Sequence, residues 1–423
     1  MTSQTHTTRL GNGVRVATVE MPHMQSAAVG FWTGTGSRHE RDEENGVAHF
    51  IEHLLFKGTA RRSAETISRE IERLGATLDA FTSEEQTCYH ARGPAEKLEP
   101  MLETIADFFQ HPRFDPGDID NERGVIREEI AMGRDLPAQQ LEDLTSAAAW
   151  PDHPLGRPIT GTPESLRRLD ESVVRRFHRA AYQGSQTVVS VAGRVTHDAV
   201  VRLIEREFAA FPAGAPMVAE PAPSPRPGFA FEAREDVEQV HLDIGFHGCH
   251  RHDPERYAEK LLNVLLGENM SSRLFQELRE REGICYEVQS DTMTFDDAGF
   301  LHLYVALAPE NLPATLASVG RILGDFRERP PAGAELEEAK AYLIGQSRVA
   351  LENTVSEMMW AGETLLAHDE VLDPEIVHAR IEAVTPPAVR AIAGRLFRPD
   401  NLVVSAVGSK KCRPVLEDWR AVF

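Results

Sequence analysis

An internal repeat with an offset of 215 residues constrains the fold of this chain more than any other feature of its sequence. Residues 188–193 near the end of the first half (VVSVAG) match residues 403–408 near the end of the second half (VVSAVG). The same offset aligns residues 29–31 with residues 244–246, which lie in strand-like segments near the start of each half. Agreement of several segments at one offset predicts two copies of one domain.

Each half mixes strand-like and helical patterns. In the first half, a Gly-Asn-Gly turn at 11–13 precedes a strand-like segment, and a further strand is predicted over 77–90. Helical periodicity marks five segments, at 47–57, 64–74, 95–110, 117–133 and 164–181. This order predicts an α+β fold of two homologous α/β-sandwich domains, each a mixed, largely antiparallel sheet packed with helices.

A proline-rich stretch separates the two halves. Six prolines fall between positions 212 and 228 among small residues, a composition that favours extended chain over helix or sheet. We therefore predict an N-terminal domain at 1–213, a linker at 214–228 and a C-terminal domain at 229–423.

The charge balance excludes one class of partner. The chain has 45 Lys and Arg against 66 Asp and Glu, a formal net charge of −21. We expect no nucleic-acid binding, because neutralising phosphates requires basic patches, whereas a basic peptide is compatible with this charge.

The polar first nine residues of the chain predict no signal peptide, and the lack of any apolar run of about 18 residues predicts no membrane span. The four separated cysteines are predicted to be reduced thiols of a cytoplasmic protein.

The segment 49–53 (HFIEH) carries the sharpest chemical signal. On a helix, His49 and His53 lie one turn apart on the same side, as two ligands of one metal must. Glu52 lies next to His53 on that side, where it could take a proton from metal-bound water. This H-x-x-E-H order is the inverzincin motif, and two imidazoles with a carboxylate favour zinc.

A third ligand is needed, and the helical segment 117–133 offers three glutamates. Glu122 and Glu129 are seven residues apart, two turns along one face, so both could approach the same site. Glu128 points about 100° away from that face. Each of the three could equally belong to a solvated acidic surface, and the spacing alone leaves the choice open.

Longer motifs resemble those of the insulinase/pitrilysin zinc peptidases. The resemblance includes segments 34–40 (GTGSRHE), 45–59 (NGVAHFIEHLLFKGT), 75–87 (GATLDAFTSEEQT), 122–130 (ERGVIREEI) and 155–161 (LGRPITG). It resumes in the second half at 271–275 (SSRLF), 278–280 (LRE) and 283–286 (GICY). Within the family the chain is most similar to the mitochondrial processing peptidase β-subunit and its two-domain bacterial relatives.

The resemblance implies a role for each matching residue. His49, His53 and Glu129 would be the ligands of one zinc ion per chain, since the spacing between His53 and Glu129 agrees with the family pattern. Glu52 would be the general base that activates zinc-bound water. Glu122 would orient a ligand histidine from outside the ligand set.

The substrate-binding residues are implied in the same way. Arg279 would hold the substrate, and Tyr286 would donate a hydrogen bond to the oxyanion. Asp143 matches one of two acids that bind a basic residue near the cleaved bond, and Gln139 stands in place of the other. An extended peptide would add to an edge strand through four residues: Ala80, Phe81, Thr82 and Ser83.

The repeat suggests how these groups are combined. At the offset of 215, His49 and His53 correspond to Val264 and Glu268, so the second half has no metal motif. Family members with four such domains enclose a chamber, which implies here a homodimer with composite active sites. The expected function is zinc-dependent endopeptidase activity on unfolded peptides or small polypeptides in a closed chamber. Two alternatives are a catalytic subunit that needs a separate partner and a non-catalytic structural core subunit.

Overall fold

The computed structural model describes residues 3–423, so the first two residues of the predicted N-terminal domain lie outside the described part. The strands are β1 (Gln4–Arg9), β2 (Arg15–Glu20), β3 (Ser26–Thr33), β4 (Thr77–Thr82), β5 (Thr87–Pro94), β6 (Thr187–Gly193), β7 (Gly228–Ala233), β8 (Val240–His247), β9 (Cys285–Thr294), β10 (Gly299–Leu307) and β11 (Leu402–Gly408). The helices are α1 (Val47–Leu55), α2 (Ala64–Arg73), α3 (Leu98–Gln110), α4 (Pro116–Asp135), α5 (Pro137–Ala149), α6 (Pro163–Leu166), α7 (Glu171–Ala181), α8 (His197–Glu207), α9 (Arg256–Asn263), α10 (Leu312–Glu328), α11 (Gly333–Ala350), α12 (Thr354–His368), α13 (Pro374–Glu382), α14 (Pro386–Leu396) and α15 (Cys412–Val422).

The first compact unit contains the chain up to Ile130 together with Arg157–Glu220 and Arg348–Asp373. Its strands follow the order β1-β2-β6-β3-β5-β4, in which β2 and β6 run parallel and the other neighbours antiparallel. One face of the sheet packs on α1, α3, α7 and α8 around a cluster of aromatic rings. The Phe31 ring centroid lies 5.7 Å from those of both Phe109 and Phe208. These rings pack α3 and the end of α8 against β3.

The opposite face of this sheet is covered by α12, which packs on β2, β3 and β6. Trp32 on β3 donates a hydrogen bond from Nε1 to Ser190 Oγ on β6 at 2.8 Å. A Cβ at Gly362 would lie 2.3 Å from Trp32 Nε1, so only glycine allows α12 to approach this closely. The three strands β2, β3 and β6 of the first sheet are therefore buried on both faces.

Glu357 on α12 gives this unit a pH-dependent stability. Burial raises the pKa of Glu357 to about 7, above the value near ~4.3 of an unfolded glutamate. The folded state therefore retains the proton more tightly, and stability falls as pH rises through this interval. Because the side chain keeps partial solvent contact, we expect Glu357→Gln to raise Tm by about 2 °C at pH 8 and by roughly a third as much at pH 5.

Thermal unfolding of the variant at the two pH values tests this prediction. Glu352→Gln, in the exposed turn before α12, is the matched control and should leave Tm unchanged at both. An equal shift for Glu357→Gln at pH 5 and pH 8 would contradict the assignment, because a packing effect does not depend on proton binding.

The second compact unit contains Ala131–Gly156, Pro221–Ser347 and Pro374–Phe423. Its strands follow the order β7-β11-β8-β10-β9, with β7 and β11 parallel and the other neighbours antiparallel. Helices α9, α10 and α14 bury one face of the sheet, and α5 packs on the other. This order repeats that of β2-β6-β3-β5-β4 in the first unit, and β6 and β11 are offset by 215 residues at both ends. The predicted α+β class with two mixed sheets is confirmed.

The compact units do not coincide with the two halves of the sequence, because each unit includes one helix from the other half. Helix α5 comes from the first half and packs in the second unit, whereas α12 comes from the second half and packs in the first unit. The first sheet lies within the predicted interval 1–213, and the second lies within 229–423 except for Gly228, the first residue of β7. Helices α5 and α12 each belong to the unit that contains the sheet of the other interval.

Two local predictions were wrong. The segment 77–90 is a hairpin of β4 and β5 rather than one strand, because residues 83–86 form a turn closed by the Ser83 N to Gln86 O hydrogen bond of 2.8 Å. The helix predicted at 164–181 is interrupted between α6 and α7, where the Asp170 side chain caps α7 by accepting a hydrogen bond from Val173 N.

All four cysteines are buried and free. No helix among residues 3–423 is long and apolar enough to cross a membrane.

Candidate metal centre

Helix α1 positions both histidines of the H-x-x-E-H segment. Its start requires Gly46, whose φ of 93° is left-handed and whose Cβ position would lie 2.8 Å from Thr160 O. The core-facing side of the helix is formed by apolar residues at helical spacing: Val47, Phe50, Ile51, Leu54 and Leu55. This arrangement leaves His49 and His53 one turn apart beside the buried stripe.

A buried carboxylate anchors the first turn of α1. Glu40 accepts hydrogen bonds from Gly46 N at 2.7 Å and from Ala48 N at 2.8 Å, and its side chain is almost fully buried. Burial raises the pKa of Glu40 to about 7, while these donors and the Asn45 amide oppose that rise. Two of the N–H groups at the start of α1 are thus satisfied by one side chain.

Three potential ligand atoms converge between α1 and α4. One donor atom from each of His49, His53 and Glu129 lies within 4.8 Å of the others. The Glu129 carboxylate oxygens are each 3.7 Å from a histidine Nε2, Oε1 from that of His49 and Oε2 from that of His53. Two imidazoles and a carboxylate are a ligand set that zinc accepts with a position left open. Among residues 3–423 this is the one group of three or more such side chains that converges in this way.

The protonation state of His49 also suits a metal. Burial, with a smaller contribution from His53, lowers the pKa of His49 to about 3. The imidazole is therefore neutral at physiological pH, as a metal ligand must be. Its other nitrogen, Nδ1, is buried and has no hydrogen-bond partner among the described residues.

Glu122 on α4 holds His53 from the side away from Glu129. Its Oε2 lies 3.2 Å from His53 Nδ1, and its Oε1 forms an ion pair with Lys57 Nζ at 2.8 Å. A neutral His53 that donates from Nδ1 to this carboxylate would present an unprotonated Nε2 toward Glu129. The structure places Glu122 against His53, whereas Glu128 is exposed.

Glu52, between the two histidines in sequence, is half-buried and contacts strand β4. Its Oε2 accepts a hydrogen bond of 2.5 Å from Thr82 Oγ1. Burial raises the pKa of Glu52, and the Thr82 hydrogen bond opposes that rise. A carboxylate with a raised pKa beside a metal site is suited to accept a proton.

The predicted substrate-binding residues Ala80–Ser83 lie at the end of the sheet. Strand β4 is the last strand in the order, so one of its edges is unpaired in the sheet. Ala80 and Thr82 face α1, and Phe81 points to the opposite face, where its ring lies 5.8 Å from that of Trp32. Ser83 begins the turn that follows. Such an edge offers main-chain groups to an extended chain.

Arg279 and Tyr286, predicted to act on the substrate, lie together in the second unit. Arg279 is in a π-helical turn, Phe275–Arg281, and its Cζ is 4.8 Å from the Phe275 ring centroid and 5.3 Å from that of Tyr286. Tyr286 is 78% exposed at the start of β9. Their polar groups are thus available to a ligand of this unit.

Asp143 also lies in the second unit, on α5. Burial, with a contribution from the neighbouring Glu142, raises the pKa of Asp143 to about 6. The same unit contains Asp243, which is paired with His302 at 2.7 Å. The structure therefore divides the predicted site residues, with the metal-ligand candidates in the first unit and Asp143, Arg279 and Tyr286 in the second.

Sequence reasoning missed three supporting contacts. Lys57 follows His53 by four residues, so helical spacing could have placed it on the same side. The contact of the Thr82 hydroxyl with Glu52 depends on which helix β4 meets, and Glu40 acts from outside the helix that it caps. Local periodicity therefore predicts neither the Thr82–Glu52 contact nor the contact of Glu40 with the start of α1.

The geometry is typical of one class of protein. A helix-borne H-x-x-E-H segment with a glutamate of a second helix beside it is the arrangement expected of inverzincin-type metallopeptidases. The family model described as insulinase (peptidase family M16) matches residues 15–163, and the model described as the peptidase M16 inactive domain matches residues 168–343. The chain belongs to the insulinase family of peptidases, family M16.

Individual relatives agree with this assignment over nearly the whole chain. The chain is 36% identical to the uncharacterized zinc protease YmxG of Bacillus subtilis, with 92% of this chain and 95% of the relative covered. It is also 36% identical to an uncharacterized zinc protease of Streptomyces coelicolor, covering 96% and 90%. The crystal structure of a protease from Helicobacter pylori has a similar fold, with a TM-score of 0.89, 21% identity and coverage of 96% and 99%.

Proposed function

We propose that this chain is a zinc-dependent endopeptidase that cleaves unfolded peptides. The observation that carries the proposal is the convergence of donor atoms from His49, His53 and Glu129 within 4.8 Å, next to the half-buried Glu52. Membership of a peptidase family and the similarity to relatives named as zinc proteases support the same activity.

His49, His53 and Glu129 would hold one zinc ion per chain. Zinc held there would supply Lewis acidity, which would polarise the peptide carbonyl and lower the pKa of an adjacent water toward neutral pH. Glu52 accepts the proton of that water and returns it to the leaving amine. Glu122 keeps His53 in the tautomer that leaves Nε2 free for the metal.

The substrate is proposed to bind as an extended strand along the edge of β4. Main-chain hydrogen bonds to this strand would tolerate many sequences, which suits an enzyme of unfolded peptides. Tyr286 would donate to the oxyanion and Arg279 would hold the peptide, with Asp143 favouring basic residues. A homodimer that forms a closed chamber with composite active sites is part of this proposal.

Hydrolysis of an internally quenched, unstructured peptide by the purified chain tests the proposal. We expect turnover that a chelator abolishes and one equivalent of zinc restores. An inactive chain that nevertheless binds one zinc would indicate a catalytic subunit that needs a separate partner. An inactive chain without zinc would indicate a structural subunit, and either result would overturn the proposed self-sufficient enzyme.

Removing the support for His53 should weaken zinc binding. We expect Glu122→Gln to lower zinc affinity by about 10-fold to 100-fold, because its amide cannot both fix the His53 tautomer and neutralise Lys57. Competition with a fluorescent chelator measures this affinity. Glu128→Gln on the exposed side of the same helix is the control, and equal affinities for the two variants would contradict the role of Glu122.

A further inference from the structure

The hydroxyl of Thr82 connects the edge strand of the first sheet with the proposed general base. Thr82 is the last residue of β4, and its Oγ1 donates to Glu52 Oε2 on α1 at 2.5 Å. This is the one side-chain hydrogen bond of the Glu52 carboxylate within residues 3–423, and it leaves Oε1 uncommitted. A single donor thus fixes one oxygen and leaves the other to react.

The donor side of this contact is held rigidly. Thr82 pairs with Thr87 across the hairpin, and the Thr87 hydroxyl donates to Thr35 O on the chain following β3 at 3.0 Å. The turn that follows is closed by Ser83 N to Gln86 O at 2.8 Å and by Ser83 Oγ to Gln86 O at 3.2 Å. Because threonine is β-branched, its χ1 is restricted as well. The hydroxyl therefore has a fixed position relative to the sheet.

The acceptor side is intrinsically mobile. A glutamate has three side-chain torsions, and its terminal torsion is broad, so an unanchored carboxylate samples many orientations. Misplacement of a catalytic group by about 1 Å can cost about 100-fold in rate. Glu52 therefore needs a fixed partner if it is to receive a proton at one defined point.

We propose that Thr82 is a positioning residue for Glu52, in addition to the main-chain contacts that its strand would make with substrate. Its hydroxyl orients the carboxylate so that Oε1 faces the reacting water. This inference rests on the proposed function, because it assigns Glu52 the role of base. Thr82 would therefore belong to the strand that binds the substrate and would also orient Glu52, the residue that accepts the proton.

The two roles of Thr82 can be separated experimentally. Substrate binding along β4 would use the N–H and C=O groups of the main chain, which a side-chain substitution leaves in place. Orientation of Glu52 uses only the hydroxyl. A substitution that removes the hydroxyl at constant shape should therefore change kcat and leave KM unaltered.

The test compares Thr82→Val, Thr82→Ser and the wild type in hydrolysis of the quenched peptide, with zinc content measured for each. We expect Thr82→Val to lower kcat about 10-fold at unchanged KM and one bound zinc per chain, and Thr82→Ser to restore most of the loss. Thr7→Val, on the exposed strand β1 at the opposite edge of the same sheet, is the matched control and should behave as the wild type.

Three results would overturn the inference. Thr82→Val with wild-type kcat would show that the hydroxyl does not position the base. A rise in KM at constant kcat would assign the side chain to substrate binding instead, and loss of zinc would assign it to the metal site. In each case an active wild type and an inactive Glu52→Gln variant would leave the proposed function standing, whereas an inactive wild type would overturn that function itself.

Discussion

Replacing Glu52 with glutamine is expected to lower kcat for peptide hydrolysis by about 10³-fold and to leave zinc bound. Glutamine keeps the shape of the side chain and can still accept from Thr82 Oγ1, but its amide cannot take a proton from water. The metal-ligand candidates are unchanged by this substitution, since the converging donor atoms belong to His49, His53 and Glu129. Steady-state kinetics with the quenched peptide and elemental analysis of zinc measure the two quantities.

Glu65→Gln is the control for this prediction, because Glu65 is an exposed glutamate on α2 in the same unit. It should retain wild-type kcat and zinc. Full activity of Glu52→Gln would place the base elsewhere. Loss of zinc from that variant would make Glu52 part of the metal site rather than the group that moves the proton.

The second large effect is expected at the third ligand. Glu129→Ala should weaken zinc binding by more than about 100-fold and abolish hydrolysis at limiting zinc, because removal of a group that merely supports a ligand already costs about 10-fold to 100-fold. The Glu129 side chain is 45% exposed, so its truncation should leave the folded structure intact. Zinc affinity by chelator competition and Tm by thermal unfolding separate loss of metal from loss of fold.

The neighbouring residue provides a stringent control. Glu128→Ala changes the same charge on the same turn of α4, but Glu128 is exposed and does not belong to the converging group. We expect wild-type zinc affinity and activity for this variant. If Glu128→Ala lost zinc and Glu129→Ala kept it, the assignment of the third ligand would be wrong.

The half of the metal centre that lies on one helix could be predicted from the sequence. His49 and His53 are four residues apart, and the apolar residues around them fix which side of α1 is buried, so helical geometry alone brings the imidazoles together. The third ligand comes from α4. Spacing there left the choice of glutamate open, and the family resemblance, not helical geometry, singled out Glu129. The packing of α4 puts Glu122 at His53 Nδ1 and Glu129 at Nε2.

In the fold, too, the elements could be predicted from local sequence, whereas some of their tertiary contacts could not. The repeat predicted two similar sheets, because identical strand patterns demand the same pairing. The exchange of α5 and α12 could not be predicted, since an amphipathic pattern says that a face is buried but not which sheet buries it. The turn at 83–86 was missed because Ser83 is its one residue of a type common in turns, and it contains no Gly, Pro, Asn or Asp.

Anomalous diffraction from crystals of the zinc-loaded protein, measured on either side of the zinc absorption edge, tests the central claim most directly. The predicted result is one peak per chain at about 2.0–2.2 Å from His49 Nε2, His53 Nε2 and one carboxylate oxygen of Glu129. A peak held by other residues, or no peak between α1 and α4 at saturating zinc, would contradict the assignment of this site as the metal centre.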